Sequence, residues 1–460
     1  MTPATALLDP WTVTPVGADR PDAAVAGLRE LHGRTVAWFE VAGRRADSSG
    51  AAEAEVVART ITLATSLGCP VVGGVRSVAV GPGPEGLAAL AAWGRVAAAA
   101  VRASGVVPIL LAVTGPLHGS LAPLLGLADH VVLTTDATAY VNGPGPVAAV
   151  TGTRTDPITL GGAAVHAGPS GLASLVADDP DDALDALAEL LDHLPDNHLA
   201  EPPVRPPDHH DRADRRCPAA AAAVPPEPSR SYDVRDVVAD VVDRGSLLEV
   251  HPHHAPNLVT AYARLDGRAV AVVANQPAVR AGTLDIAASV KGARHVQAAD
   301  AFGLPIVTFV DTPGYQPGRD LEARGMIRHG AELVHAYAAA TVPRLCVILR
   351  KAYGGAYIVM DSRTMGSDLV LAWPRAEIAV MGPAGAGDNP PRREVDPEVR
   401  GRLGAGNRAT YCTPPPAADR GLIDGVIDPA DTRRVLTAAV HRLRTKRPVL
   451  PARKHTNQPL

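Results

Sequence analysis

The sequence predicts an α/β protein in which one unit of parallel sheet and covering helices is written twice. Three observations lead there. Apolar strand-length runs alternate with helical stretches, the pattern of parallel sheets buried on both faces. The run "VVARTITLATSLGCPVVGGV" and the later run "ARHVQAADAFGLPIVTFVD" have the same layout, and landmark residues recur at one offset. A polar, proline-rich stretch stands between the two copies.

The elements follow in order. In each copy a helix runs into a buried strand, through Pro70 in the first and Pro305 in the second. A second helix then ends at a proline-marked turn, Pro108 or Pro343, and leads into another apolar strand. Each strand closes on a glycine turn, Gly119 or Gly354, and all three pairs are 235 residues apart. An offset held at three landmarks marks an internal repeat. A further strand in each copy leads to a Gly-Pro pair, at Gly143–Pro144 and Gly382–Pro383. A strand, a glycine turn and a helix start leave backbone N–H groups free, and such groups serve as oxyanion holes. Between the copies, residues 195–231 are rich in Pro, Asp, His and Arg and carry no helical or strand period. They read as a linker or surface excursion, with His209 and His210 as solvated residues rather than metal ligands.

Bulk composition sets limits. At 460 residues, 46% apolar and 20% charged, the chain has the length and the apolar content for large cores. Aromatics are only 3%, so those cores are built from Ala, Val, Leu and Ile. A net charge of −4 gives no electrostatic ground for nucleic-acid binding. Arg442, Arg444, Lys446, Arg447, Arg453 and Lys454 make a basic tail without interleaved aromatics for base stacking. The four cysteines are far apart and show no paired spacing, which suits reduced thiols and a cytoplasmic protein. No basic-then-apolar leader opens the chain, and no apolar run reaches membrane-spanning length, so neither a signal peptide nor a membrane is expected.

The second copy carries long segments of a known family: "ARLDGRAVAVVANQPAV", "DAFGLPIVTFVDTPGYQPG", "IRHGAELVHAYAAATVP", "VILRKAYGGAYIVM", "LAWPRAEIAVMG" and the tail "PARKHTNQPL". In these it resembles the carboxyltransferase β subunits of propionyl-CoA and acetyl-CoA carboxylases, members of the crotonase-like superfamily. The first copy matches more weakly, through "EGLAALAAWG", "VRASGVVP" and "LLDHLPDN". The resemblance implies two tandem crotonase-like β-β-α superhelix domains. The expected division is an acyl-CoA-side domain over residues 1–200, a linker over 201–231 and a biotin-side domain over 232–460.

The resemblance also implies the chemistry. Carboxybiotin, delivered on a separate carrier, breaks down to carbon dioxide and a ureido anion. That anion takes the α-proton of an acyl-CoA, and the enolate attacks the carbon dioxide. The protein's task is to stabilise two oxyanions in a dry pocket. Carried over residue by residue, the biotin-side oxyanion hole is Gly355 and Ala356, with Gly354 shaping the turn beside Tyr353. Ile358 follows at an acyl-pocket position, or is simply core. The partners implied are a biotin carboxylase and a biotin carboxyl carrier subunit, with the chain itself forming a homo-oligomer, a hexamer in the family.

The first copy departs from the family pattern. An "SGGAR" loop is expected before Glu85–Gly86, but those places hold Val78, Ala79, Val80, Gly81 and Pro82. The family's "AGGA" turn is His118, Gly119, Ser120 and Leu121. Gly119 and Ser120 keep their backbone N–H groups. His118 stands where a catalytic base would serve, or is a packed histidine at a diverged turn. Arg44 and Arg45 are placed to meet CoA phosphates, or are solvated on a hairpin. In the second copy, Gly387, Pro390 and Pro391 interrupt an expected helix and read as a loop. Three readings stay open: a carboxyltransferase acting on an acyl-CoA or related thioester, a decarboxylase or acyl transferase on a malonyl-type thioester, and a non-catalytic paralogue within a carboxylase oligomer.

Overall fold

The computed structural model describes residues 7–11, 24–42, 50–76, 84–382 and 412–459, apart from 447 and 449. Contacts divide the chain into two compact units. The first is Met1–Pro203 with His251–His254, and the second is Val204–Val250 with Ala255–Leu460.

Unit 1 contains strands β1 (Leu7–Trp11), β2 (Ala24–Leu31), β3 (Arg34–Ala42), β4 (Val71–Arg76), β5 (Ile109–Val113), β6 (Pro116–His118), β7 (His130–Thr134), β8 (Thr138–Tyr140) and β9 (Leu175–Ala177). Seven form one sheet in the order β1-β2-β3-β4-β5-β7-β9, antiparallel as far as β3 and parallel beyond it. β6 and β8 pair separately, in parallel. The helix Ala51–Leu67 lays Ala54, Val57, Ala58, Ile61 and Ala64 into the core. That spacing puts them on one helical face. The helix Pro180–His193 is capped by Asp179, whose carboxylate accepts from the N–H groups of Asp181 and Asp182 at 2.8 and 3.0 Å.

Unit 2 contains β10 (Leu248–Val250), β11 (Leu258–Leu265), β12 (Arg268–Asn275), β13 (Ile306–Thr312), β14 (Arg344–Tyr353), β15 (Leu369–Ala372), β16 (Glu377–Ala379) and β17 (Gly425–Val426). The sheet order is β10-β11-β12-β13-β14-β15-β17, with β16 also on β14. All eight residues of β11 and seven of eight in β12 are buried. This explains why these strands read as near-continuous apolar runs.

The repeat extends to single hydrogen bonds. Ala37 N–H donates to Pro70 O at 2.8 Å, and Ala271 N–H to Pro305 O at 2.9 Å. Val71 N–H reaches Pro108 O, and Ile306 N–H reaches Pro343 O, both at 2.8 Å. Ile109 N–H donates to Asp129 Oδ2 at 2.8 Å, and Arg344 N–H to Asp368 Oδ2 at 2.8 Å. In each case the aspartate N–H returns a bond to the same residue's carbonyl, at 2.9 and 3.0 Å. Each unit thus ties the start of its central strand to one aspartate.

The stretch read as a linker is packed within unit 2. Val204 bridges to Arg268, Cys217 is buried with its N–H on Ala430 O at 2.8 Å, and Arg215 Nε donates to Asp211 Oδ1 at 2.6 Å. Arg433, fully buried, donates to Val241 O at 3.1 Å and Asp243 Oδ1 at 2.8 Å. The local composition is polar, but its partners lie about 200 residues away, which no local period reports. His209 and His210 are exposed, as expected of a polar surface stretch.

Lys291 is the unusual residue of this core. It lies on the helix Ile286–Ala301, buried, with its Nζ on Leu258 O at 2.8 Å. Burial lowers its ammonium to about 7. An unfolded lysine titrates at about 10.4. The folded value is the lower one, so the charge opposes folding. That opposition is full below about pH 7 and fades as pH climbs towards the unfolded value. Lys291→Met is therefore expected to gain Tm over the parent chain most at about pH 7 and to lose that advantage by about pH 10. Thermal unfolding across this range checks it, and a Tm difference indifferent to pH would refute it.

Candidate active site

β14 carries the candidate site of unit 2. Its last residues are held by Asp311, buried near the end of β13. Asp311 Oδ2 accepts from Arg350 Nε and from Tyr232 Oη, each at 2.9 Å, and Oδ1 accepts from Lys351 N–H at 3.1 Å. Arg350 also donates to the carbonyls of Glu227 and Arg230, at 3.1 and 2.8 Å. One carboxylate therefore fixes the strand two residues before its turn.

The turn follows at Tyr353. β14 pairs β16 through Lys351, Ala352 and Tyr353, opposite Glu377, Ile378 and Ala379. The Tyr353 hydroxyl donates to Glu377 Oε2, and both side chains are buried. Gly354 has φ +60°, and a Cβ there would stand 3.2 Å from Val380 O. This is left-handed backbone that glycine adopts without steric cost. The helix Gly354–Val359 starts at once, and the ring of Tyr315 lies 3.5 Å from where a Gly355 Cβ would be. Burial pushes the Tyr315 phenol up to about 12, so it stays protonated. The first-turn N–H groups, Gly355 and Ala356 among them, have no intrahelical acceptor. Ala356 is buried and Ile358 is 46% exposed.

Unit 1 repeats the construction. β6 pairs β8 through Pro116, Leu117 and His118, opposite Thr138, Ala139 and Tyr140. The His118 and Tyr140 rings stack, with centroids 4.3 Å apart and planes 10° apart. Gly119 follows with φ +83°, and nothing lies within 4 Å of where its Cβ would be. What comes next is a 3-10 helix, Gly119–Leu127, where the second unit has an α-helix. Pro123 lies inside it and removes a backbone donor. Ser120 contributes the second backbone N–H of this turn.

The structure thus gathers Tyr353, Gly354, Gly355, Ala356 and Ile358 on one turn of unit 2, and His118, Gly119 and Ser120 on one turn of unit 1. Arg44, Arg45, the stretch 78–82 and the interruption at 387–394 lie outside the described residues. Asp311, Glu377 and Tyr315 were missed by sequence reasoning. The two acids had a signal, a carboxylate beside apolar strand runs, which burial makes costly unless it is paired.

Known proteins carry the same frame along their whole length. The carboxyl transferase domain family matches residues 19–458, which takes in both units. The chain belongs to that family. It is 42% identical over 449 residues to the propionyl-CoA carboxylase carboxyltransferase subunit of Haloferax mediterranei, covering 95% of this chain and 86% of that one. It is 40% identical over 483 residues to the methylmalonyl-CoA carboxyltransferase 12S subunit of Propionibacterium freudenreichii subsp. shermanii, covering 98% and 90%. A solved transcarboxylase 12S structure, a hexamer assembly with methylmalonyl-CoA and methylmalonic acid bound, superposes with a TM-score of 0.93. That comparison covers 98% of this chain and 90% of the other, at 38% identity. The fold is therefore the crotonase-like carboxyltransferase fold, and this carboxyltransferase belongs with biotin-dependent enzymes that act on acyl-CoA substrates. Among the described residues, no helix is long and apolar enough to cross a membrane.

Proposed function

We propose that this carboxyltransferase moves a carboxyl group from carboxybiotin to the α-carbon of an acyl-CoA, using its two glycine turns as two oxyanion sites. The single observation that carries the assignment is their common construction. Each turn follows a strand paired in parallel, opens on a positive-φ glycine, and leads into a short helix, at positions 235 residues apart. Gly354 would set the turn of unit 2 so that the N–H groups of Gly355 and Ala356 face the ureido oxygen of biotin. Gly119 and Ser120 would do the same for the thioester oxygen. Donors fixed by backbone need no reorganisation as charge develops, which suits a reaction whose barrier is the formation of two oxyanions. Ile358 would line the acyl chain. Tyr353 would act from behind the turn, through Glu377. Arg44 and Arg45 would meet the CoA phosphates. The working assembly is a homo-oligomer, as in the transcarboxylase 12S hexamer, served in the cytoplasm by a biotin carboxylase and a biotinylated carrier on separate chains.

The test mixes the purified chain with a biotinylated carrier, a biotin carboxylase, ATP, labelled bicarbonate and propionyl-CoA or acetyl-CoA. Acid-stable label on the thioester supports the proposal. No label, with carbon dioxide released from malonyl-CoA when biotin is left out, would replace it with decarboxylation. No label and no CoA binding would make the chain a non-catalytic subunit.

A further inference from the structure

His118 is the residue that the two-turn scheme leaves unused. It stands at the end of β6, where Tyr353 stands at the end of β14, 235 residues on. The Tyr353 hydroxyl is tied to Glu377. His118 has the ring of Tyr140 across from it instead, and a ring face gives a ring nitrogen no acceptor in its own plane. The His118 Nε2 is buried and has no hydrogen-bond partner. A buried polar atom left unsatisfied is costly, and where it persists it calls for a role. The stacked Tyr140 holds the imidazole plane, and the next residue, Gly119, faces open space.

We propose that His118 donates its Nε2–H to the thioester oxygen of the acyl-CoA, as a side-chain member of the oxyanion site in unit 1. The inference rests on the carboxyltransferase reading given above and adds a catalytic residue to it. Burial lowers the imidazole's affinity for a second proton, so the ring is neutral at pH 7 and offers one N–H and one acceptor nitrogen. A neutral imidazole polarises a carbonyl without surrendering its proton. The N–H stays on the ring throughout. The α-proton leaves for the ureido anion of biotin, its electron pair delocalises onto the thioester oxygen, and the His118 donor stabilises the charge that gathers there. Tyr140 is then a positioning residue, acting through the ring it stacks on.

The experiment uses the full-length chain in the reverse direction, with methylmalonyl-CoA or malonyl-CoA as carboxyl donor and free biotin as acceptor. It compares the parent chain with His118→Phe, which keeps a ring for the stack and deletes the donor, and His118→Gln, which keeps a donor. His118→Phe is expected to lower kcat by about 10²–10³-fold, the effect of losing one oxyanion donor. KM should hardly move, because the interaction exists only once charge develops. His118→Gln is expected to recover at least about tenfold of that loss, and the Tm of His118→Phe should not fall, since an orphaned polar atom is removed. If the parent chain turns over and His118→Phe matches it within about threefold, the proposal fails and the carboxyltransferase reading stands. Equal losses in both variants with a lowered Tm assign His118 to packing and also overturn it. An inactive parent chain overturns the underlying reading and the proposal with it.

Discussion

Gly354→Val is expected to reduce carboxyl transfer to biotin by about 10²–10³-fold, the loss seen when an oxyanion donor is misplaced. The residue has φ +60°, where a β-branched side chain is strained, and its Cβ would press on Val380 O at 3.2 Å. The chain relieves this only by rotating the turn, which re-aims the N–H groups of Gly355 and Ala356. Gly245→Ala supplies the control. Its φ is +73° with nothing within 4 Å, so it incurs the left-handed strain of about 1–2 kcal/mol without touching the turn. Steady-state kinetics with free biotin separate the two. If Gly354→Val keeps its rate while losing the same Tm as the control, the turn is not where the charge develops.

Asp311→Ala is expected to be the most destabilising single change near the site, at about 3–5 kcal/mol, because it leaves the Arg350 guanidinium buried without its counter-charge. Arg350 is almost wholly inaccessible, and its two carbonyl acceptors do not replace a carboxylate. The Tyr232 hydroxyl and the Lys351 N–H lose their acceptor in the same step. Denaturant unfolding measures the loss. The double variant Asp311→Ala, Arg350→Met should be less unstable than Asp311→Ala alone, since it removes the stranded charge. If it is not, the cost is one of packing rather than charge.

The periodic features of this fold were the legible ones. The offset between Pro70 and Pro305, and between Gly119 and Gly354, reports a repeat that survives as matched hydrogen bonds. Gly355 and Ala356 were visible because the turn "KAYGGAY" is local chemistry. The pairings that hold the turn were not, since Tyr353 meets Glu377 and Arg350 meets Asp311 across 24 and 39 residues. Such contacts exist only once β13, β14 and β16 are in register. The helix after Gly119 was read as the twin of the one after Gly354. Pro123 within it was weighed too lightly, and the segment is 3-10. The stretch before residue 231 was misjudged for the opposite reason. Its prolines and charges suggest solvent, while Asp211, Arg215 and Cys217 find their partners in later segments of the chain.

Asp129 and Asp368, which tie down the start of the central strand in each unit, have a bearing on how this architecture diverges. Each grips the end of its strand remote from the glycine turn, with bonds that involve no turn residue. Scaffold and reactive tip are thus separable parts. "HGSL" and "YGGA" occupy equivalent places on nearly superimposable supports, so the turns become exchangeable cassettes. A lineage with such a frame is free to rewrite the chemistry of one cassette while the other keeps its inherited task.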